Sequence, residues 1–134
     1  MKKTFNFILL LAMYLSLDCS SARLRENSPL FHHKWVLSEL NSAPVQISNT
    51  DKDAFPEFSY NDMKITGNGG CNSITGTFSV NGNAFSFGPL ASAKMFCEDS
   101  EFENAFLTAL GKVNKYDILN GELLLSKTEK YWQE

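Results

Sequence analysis

The residues best suited to chemistry lie in residues 67–78, GNGGCNSITGTF, where glycines surround Cys71 and Asn72. Glycine-rich segments cradle phosphates when their backbone amides open a helix. A dinucleotide fingerprint would need a glycine at position 72, and a P-loop would need Gly-Lys-Ser/Thr, which this segment lacks. The segment instead continues into alternating apolar and polar residues. Its glycines are therefore predicted to form a turn or a bulge between two antiparallel strands.

Cys71 could instead be a nucleophile, which would require a general base and a group that lowers the pKa of its thiol. The 2 histidines, His32 and His33, are adjacent and lie far before this cysteine in a polar stretch. Adjacent histidines cannot share one helix face, and no cluster of cysteines or carboxylates accompanies them. We therefore expect no catalysis through Cys71, no cofactor and no bound metal. A cysteine-dependent envelope hydrolase is the least supported function.

The 3 cysteines of the chain have different expected fates. Cys19 lies in an N-terminal export segment, where it is either acylated or removed. This leaves Cys71 and Cys97 together in an oxidising envelope. An even pair there suggests a disulfide. The alternative is two buried free thiols, because the sequence does not report the separation of their Cα atoms.

Residues 1–18 have the features of a signal peptide. Two lysines precede a mostly apolar run over residues 5–17, which is too short to cross a membrane as a helix. Cleavage before Cys19 would leave this cysteine as the lipidated first residue of a bacterial lipoprotein, with an aspartate before it where a small residue is usual. Cleavage after Ala22 would extend the signal peptide to residue 22 and release an unmodified chain.

The remaining chain divides near residue 34. Residues 19–33 are polar, contain a proline and lack periodicity, which predicts a flexible tether. Residues 34–134 are predicted to form one folded domain, and 43% hydrophobic with 20% charged residues is typical of a globular chain. The formal charge of −3 and the absence of a basic cluster argue against a nucleic-acid partner.

Two Asn-Gly pairs, at residues 81–82 and 120–121, predict two β-hairpins, because alternating apolar and polar residues flank each pair. Residues 34–41, KWVLSELN, predict a first strand that carries Trp35 and Leu37 on one face. The domain is therefore expected to be rich in β-structure.

One helix is predicted over residues 100–113. Ser100 and Glu103 have the spacing of a capping box at its start. Apolar residues follow at spacings of three and four, and they are Phe102, Ala105, Phe106, Ala109, Leu110 and Val113. This stripe is predicted to be the face of the helix that packs on the core.

Four segments resemble the META domain of HslJ-like heat-shock lipoproteins: WVLSELN, GGCN followed by ITGTF, FSFGPLASAKMFC, and EFENAFLTALGKVNKY. The resemblance covers roughly residues 34–126. It implies an α+β fold in which a curved, barrel-like antiparallel β-sheet packs against one α-helix. The family's motif positions carry over as Gly70, Cys71 and Asn72 in the glycine turn, and as Lys94, Met95 and Cys97 in the loop before the helix.

The resemblance also implies a protein of the bacterial cell envelope, either an outer-membrane or periplasm-facing lipoprotein or a chain secreted to the periplasm. The family is associated with stress responses and implies no enzymatic activity. The chain is expected to be anchored to the membrane through a lipid on Cys19. Its domain is expected to bind a partner, which is an unknown envelope protein or an apolar ligand. The alternative is a pilotin-like carrier of an acyl chain or other apolar ligand. Its cavity would lie between helix and sheet and be lined by phenylalanines, of which the chain has 11.

Overall fold

The computed structural model describes residues 26–98 and 100–129. A short 3-10 helix, Pro29–Phe31, comes first. The strands are β1 (Glu39–Leu40), β2 (Ala43–Pro44), β3 (Phe55–Ser59), β4 (Lys64–Asn68), β5 (Ser73–Asn81), β6 (Ala84–Phe87), β7 (Ala91–Ser92), β8 (Lys115–Leu119) and β9 (Glu122–Ser126). The α-helix, α1, is Ser100–Gly111. The predicted signal peptide and Cys19 lie outside the described residues. Within them, no helix is long and apolar enough to cross a membrane.

The strands from β3 onward form one antiparallel sheet of 7 strands, in the order β3-β4-β5-β6-β8-β9, with β7 paired to β5. Strands β1 and β2 form a separate two-stranded ribbon. The long β5 joins the two halves of the sheet, because it pairs with β4 over its first part and with β6 over its last. The α+β prediction is confirmed. The sheet is not closed into a barrel, however, since β3 and β9 are its two ends.

Phenylalanine side chains fill the centre of the sheet's buried face. The ring centroid of Phe58 lies 5.2 Å from that of Phe78 and 5.7 Å from that of Phe85. Phe78 and Phe85 are stacked with centroids 5.5 Å apart. These rings are buried together with Ile65, whose side chain is 0% exposed. The three phenylalanines therefore pack on one another instead of lining a cavity.

Helix α1 packs on the sheet through the predicted apolar stripe. Phe106 and Leu110 are buried against Ile74 of β5 and Ala54, which directly precedes β3. Ala105, which the spacing placed in the same stripe, is exposed. The helix thereby holds its first turn close to the segment that joins β4 and β5, where the candidate site lies.

Both predicted hairpins are confirmed, but the position of the Asn-Gly pair within the turn differs by one residue between them. In the second hairpin Leu119 pairs with Glu122, and Asn120 and Gly121 have φ values of 53° and 78°. Positive φ at both central residues is typical of the type I′ turn that an Asn-Gly pair favours. In the first hairpin the 81–82 pair is not central, because residue 81 pairs with residue 84 and the turn residues are 82 and 83.

The predicted first strand is only partly formed. Within residues 34–41, Glu39 and Leu40 belong to a strand, and this strand pairs with β2 and not with the main sheet. The preceding 34–38 segment runs along β3 through two backbone bonds, from Trp35 N to Pro56 O at 3.1 Å and from Leu37 N to Ala54 O at 2.8 Å. Pro56 has no N–H to return a bond, so a regular ladder cannot form along this edge.

The predicted tether is wrong for residues 28–33, which pack into the domain. Leu30 lies in the short 3-10 helix and is 0% exposed within the phenylalanine core. The hydroxyl of Ser28 accepts a bond from Leu30 N at 3.4 Å, and the indole of Trp35 donates to Leu30 O at 3.1 Å. The free energy gained by burying the Leu30 side chain exceeds the preference of the surrounding polar residues for an exposed turn. The earlier part of the tether, residues 19–25, lies outside the described residues.

Replacing Leu30 with alanine is expected to lower the free energy of unfolding by about 3 kcal/mol, because it leaves a cavity beside well-packed rings. Leu119→Ala is the matched control, since Leu119 is 53% exposed and should change stability by less than about 1 kcal/mol. Urea unfolding at pH 7 measures both variants. Equal small losses would contradict the packing of residues 28–33.

Candidate functional site

The glycine turn joins β4 to β5 and makes room for the start of α1. Asn72 O accepts a bond from Gly69 N at 2.8 Å and closes the turn. Gly70 has φ +113°, a conformation that side chains with a Cβ rarely adopt. A Cβ on Gly69 would lie 2.8 Å from the Cγ of Glu103, and one on Gly70 would lie 2.8 Å from the ring of Phe102. The glycines therefore allow close approach between turn and helix, as a structural turn requires.

A disulfide ties this turn to the loop before the helix. Cys71 and Cys97 are bonded, with their Cα atoms 6.2 Å apart. The bond fixes the 93–98 loop against the turn, across 26 residues of sequence. Of the two alternatives left by the sequence, the structure has the disulfide.

Glu103 lies at the centre of the site, although nothing in the sequence analysis placed it there. Its side chain is 6% exposed. One carboxylate oxygen, Oε2, accepts bonds from Asn72 N at 2.7 Å and Cys71 N at 3.3 Å. The other, Oε1, accepts bonds from Asn72 Nδ2 at 2.9 Å and Ser92 Oγ at 2.8 Å. The carboxylate thus binds the turn and β7 to the first turn of the helix.

The electrostatics of Glu103 favour a charged carboxylate. Burial raises its pKa, but the hydrogen bonds from Asn72, Ser92 and Cys71 outweigh burial and hold the pKa below its ordinary value. Glu103 was predicted to form a capping box with Ser100. Instead α1 begins at Ser100 itself, and the Glu103 carboxylate is directed to the turn. The position near the helix N-terminus adds a favourable field for the negative charge.

Asn72 connects the turn to the 93–98 loop through its side chain. Its Oδ1 accepts a bond from Met95 N at 2.8 Å, and its Nδ2 lies 3.4 Å from both Met95 O and Cys97 Sγ. The side-chain amide therefore pairs with the loop backbone in the way that a neighbouring strand would. Asn72 is 5% exposed. Its backbone carbonyl closes the glycine turn, while its side chain reaches the loop.

Replacing Asn72 with aspartate is expected to lower the free energy of unfolding by about 2 kcal/mol at pH 7, because a second carboxylate would face Glu103 and a donor would be lost. The deficit should shrink as the pH falls toward 4 and one of the two carboxyls becomes protonated. Urea unfolding between pH 4 and pH 8 measures this. A deficit that does not change with pH would contradict the like-charge explanation. Asn68→Asp is the control, because it also loses a side-chain donor, to Asp51 O, but its new charge would accept from Gly70 N and would not face Glu103.

The remaining motif residues lie on the surface of the 93–98 loop. Lys94 has φ 51° and an exposed side chain. Met95 is 64% exposed and Phe96 is 96% exposed. The disulfide and Asn72 hold the loop backbone on either side of these residues. The site therefore combines a polar interior, in which the groups bond to one another, with an apolar exterior.

The histidines lie apart from this site. His32 Nε2 lies 2.8 Å from Glu26 O, and the His33 ring packs edge-on against Trp35 at 5.6 Å. Within the described residues, no group of three or more histidine, cysteine, aspartate or glutamate side chains could hold a metal ion. In this state Cys71 carries no free thiol, because its sulfur is bonded to Cys97.

A second feature is a groove between the two ends of the sheet. It has a volume of about 1120 Å³ and lies between the 34–38 segment on one side and β9 on the other. Phe106 and Leu110 of α1 contribute to its lining, with Leu123 and Leu125 of β9. The groove is the place where a closed barrel would have joined its last strand to its first.

Comparisons with known proteins agree with this architecture. A family model described as the META domain matches residues 28–133. A protein solved by NMR is 24% identical with a TM-score of 0.56, over 72% of this chain and 81% of that one. An NMR structure of a protein from Burkholderia xenovorans is 21% identical with a TM-score of 0.53, over 72% and 80% of the two chains. These two likenesses show the fold alone, and a search of curated proteins gives no match. The chain belongs to the META domain family.

Proposed function

We propose that this chain is an exported, lipid-anchored envelope protein of the HslJ-like type, whose META domain serves a stress response by binding and not by catalysis. One observation carries the proposal. The groups at the glycine turn that could do chemistry are the carboxylate of Glu103 and the sulfur atoms of Cys71 and Cys97. The carboxylate accepts hydrogen bonds from the turn, and the two sulfur atoms are bonded to each other. Their chemistry is used to hold an exposed apolar loop in place.

Export and anchoring are supported by the N-terminal sequence and by the disulfide. A disulfide in a small domain is typical of proteins from oxidising compartments. If the mature chain begins at Cys19, few residues separate its lipid from Ser28, where packed structure begins. A fully extended linker of that length would span at most about 30 Å, at roughly 3.3 Å per residue. The proposed anchor would therefore keep the domain near the membrane surface.

The intact mass of the chain extracted from membranes tests the anchor. We expect loss of residues 1–18, an acylated Cys19, and a mass that rises by two hydrogens on reduction. Cys19→Ala should abolish acylation and release the chain from the membrane fraction. An unmodified chain that begins at Arg23 would overturn the anchor while leaving export intact.

Alkylation of the thiols tests the non-catalytic part. In the oxidised native protein, iodoacetamide should modify neither Cys71 nor Cys97, and both should react after reduction and unfolding. Rapid alkylation of Cys71 without reductant would point to a resting nucleophile and would contradict a purely binding role.

The second candidate is the carriage of an acyl chain or another apolar ligand. The groove beside α1 favours it, because its volume of about 1120 Å³ is more than sufficient for a small apolar ligand and the partly buried Leu123 and Leu125 contribute apolar lining. Native mass spectrometry after purification in mild detergent tests it. A lipid that stays bound at one per chain would support carriage, whereas a bare domain that takes up no added palmitate would exclude it.

A further inference from the structure

We propose that the groove between β9 and the 34–38 segment binds an extended segment of a partner protein, which adds to the sheet as a strand on β9. This inference rests on the proposed binding function and deepens it, because it names the surface and the chemistry of the partner. The partner segment would be extended, with apolar side chains at alternate positions.

The hydrogen-bond register of β9 leaves two of its residues with free backbone groups. Leu119 and Glu122 flank a two-residue turn, so the pairs that exchange backbone bonds with β8 are those of Glu122, Leu124 and Ser126. The N–H and C=O groups of Leu123 and Leu125 must then point away from β8. No described residue bonds to them, and both residues line the groove.

The 34–38 segment, which forms the opposite wall of the groove, also has backbone groups that point away from its neighbouring strand. Trp35 N donates to Pro56 O of β3 and Leu37 N donates to Ala54 O just before β3, so the backbone groups of Val36, between them, point to the other side. Val36 lines the groove and its side chain is 38% exposed. Backbone donors and acceptors that bond to none of the residues the structure describes therefore occur on both walls.

These walls favour a peptide over an acyl chain. An acyl chain would cover the free N–H and C=O groups without bonding to them, which costs free energy for each group removed from water. An extended peptide carries its own donors and acceptors at the spacing of a strand and can bond to one or both walls. Its inward side chains would contact Leu123 and Leu125, which line the groove and are only partly buried.

The sequence of β9 also lacks the features that protect an edge strand. It reads ELLLS, with three consecutive leucines, no proline and one charge, and Leu124 is 44% exposed. Natural sheets shield such edges with charged residues, proline, bulges or a covering element. An unshielded apolar edge is therefore suited to pairing with another strand.

A random dodecapeptide library displayed on phage provides the probe, selected against the full mature chain in its oxidised form. We expect selected peptides to alternate apolar and polar residues and to protect the amides of Leu123 and Leu125 from hydrogen exchange, together with that of Val36 if they span both walls. A synthetic copy with methyl groups on alternate backbone nitrogens, on the edge that faces β9, should bind at least about tenfold more weakly, since about two hydrogen bonds are lost.

Val36→Pro and Val36→Thr form a matched pair of variants. The proline removes the free N–H of one wall, whereas the threonine keeps that N–H and a similar shape. If the peptide spans both walls, binding should weaken several-fold with proline and stay within about twofold with threonine. The melting temperature of each variant shows whether its fold is intact, and the N-methylated peptide tests the same bonds without any variant.

The inference would be overturned by a library that yields no peptide directed to the groove, by binding that does not respond to N-methylation, or by palmitate that occupies the groove at one per chain. A dimer that pairs β9 with β9 in sedimentation experiments would also overturn it, because the occupant would then be a second copy. None of these results affects the alkylation and mass tests, so failure here is distinguishable from failure of the proposed function.

Discussion

Replacing Glu103 with glutamine is expected to lower the free energy of unfolding by about 4 kcal/mol at pH 7. The carboxylate accepts four bonds, from two backbone amides, the Asn72 amide and the Ser92 hydroxyl. Glutamine keeps the shape but has one acceptor oxygen, and its NH2 group must face either the backbone amides or the Asn72 amide. Each buried donor that loses its acceptor costs about 1–3 kcal/mol.

Glu103→Gln should also reduce the loss of stability that the wild-type protein shows as the pH falls. The folded-state pKa of Glu103 lies below its ordinary value of 4.5. Glu103 therefore contributes stability at pH values above that ordinary value, and the contribution is lost as the pH falls through the folded-state pKa. The difference between wild type and Glu103→Gln should be largest at neutral pH and should narrow below pH 4.5.

Urea unfolding at several pH values between 3 and 8 measures both effects. Glu101→Gln is the matched control, because Glu101 lies in the same first turn of α1 but is exposed. It should change stability by no more than about 0.5–1 kcal/mol. Similar losses for the two variants would mean that the helix dipole, and not the bonds to the turn, accounts for the effect. The lowered pKa values of Asp53 and Asp62 affect wild type and variants alike.

The local patterns of the sequence identify the elements whose structure depends on near neighbours. Alternation over β5 places Ile74 and Phe78 in the core, as two-residue periodicity requires. The Asn-Gly pair at residues 120–121 determines its own turn, because both residues accept positive φ. The spacing of Phe106 and Leu110 likewise orients the helix.

The predictions from sequence were wrong for segments whose structure depends on residues that are distant in the chain. Leu30 lies in a polar, proline-containing stretch, and only its packing against the phenylalanines of the sheet accounts for its burial. The 34–38 segment has the residues of a strand, but its neighbour on β3 is Pro56, which cannot complete the ladder. Neither partner can be read from the segment itself.

Glu103 shows most clearly why the site was incompletely predicted. The spacing from Ser100 to Glu103 fits a capping box, which is a local explanation for the carboxylate. A second signal was present, because Glu103 precedes Phe106 by three residues and Leu110 by seven and so lies on the buried face. A carboxylate on an apolar stripe needs donors from elsewhere in the fold. The glycine turn provides them, through the backbone amides of Cys71 and Asn72 and the side-chain amide of Asn72.

Removing the disulfide by the double substitution Cys71→Ser and Cys97→Ser is expected to lower the free energy of unfolding by about 3.5 kcal/mol. The two cysteines are 26 residues apart, and the bond restricts the unfolded chain by closing a loop of that length. Urea unfolding with and without dithiothreitol measures the effect. Reductant should destabilise wild type by a similar amount and leave the double variant unchanged. Equal stability of oxidised and reduced wild type would contradict the prediction.

The contributions of the disulfide and of Glu103 to stability should also depend on each other, because both hold the glycine turn. Cys71 N donates to Glu103, and Asn72 Nδ2 lies between the Glu103 carboxylate and Cys97 Sγ. Without the disulfide the 93–98 loop can move away and admit water to the carboxylate, so the loss of Glu103 should then cost about 1 kcal/mol less. A double-mutant cycle of Glu103→Gln in the oxidised and serine-substituted backgrounds measures this coupling. If the two losses add to within about 0.3 kcal/mol, the disulfide and Glu103 stabilise the turn independently of each other.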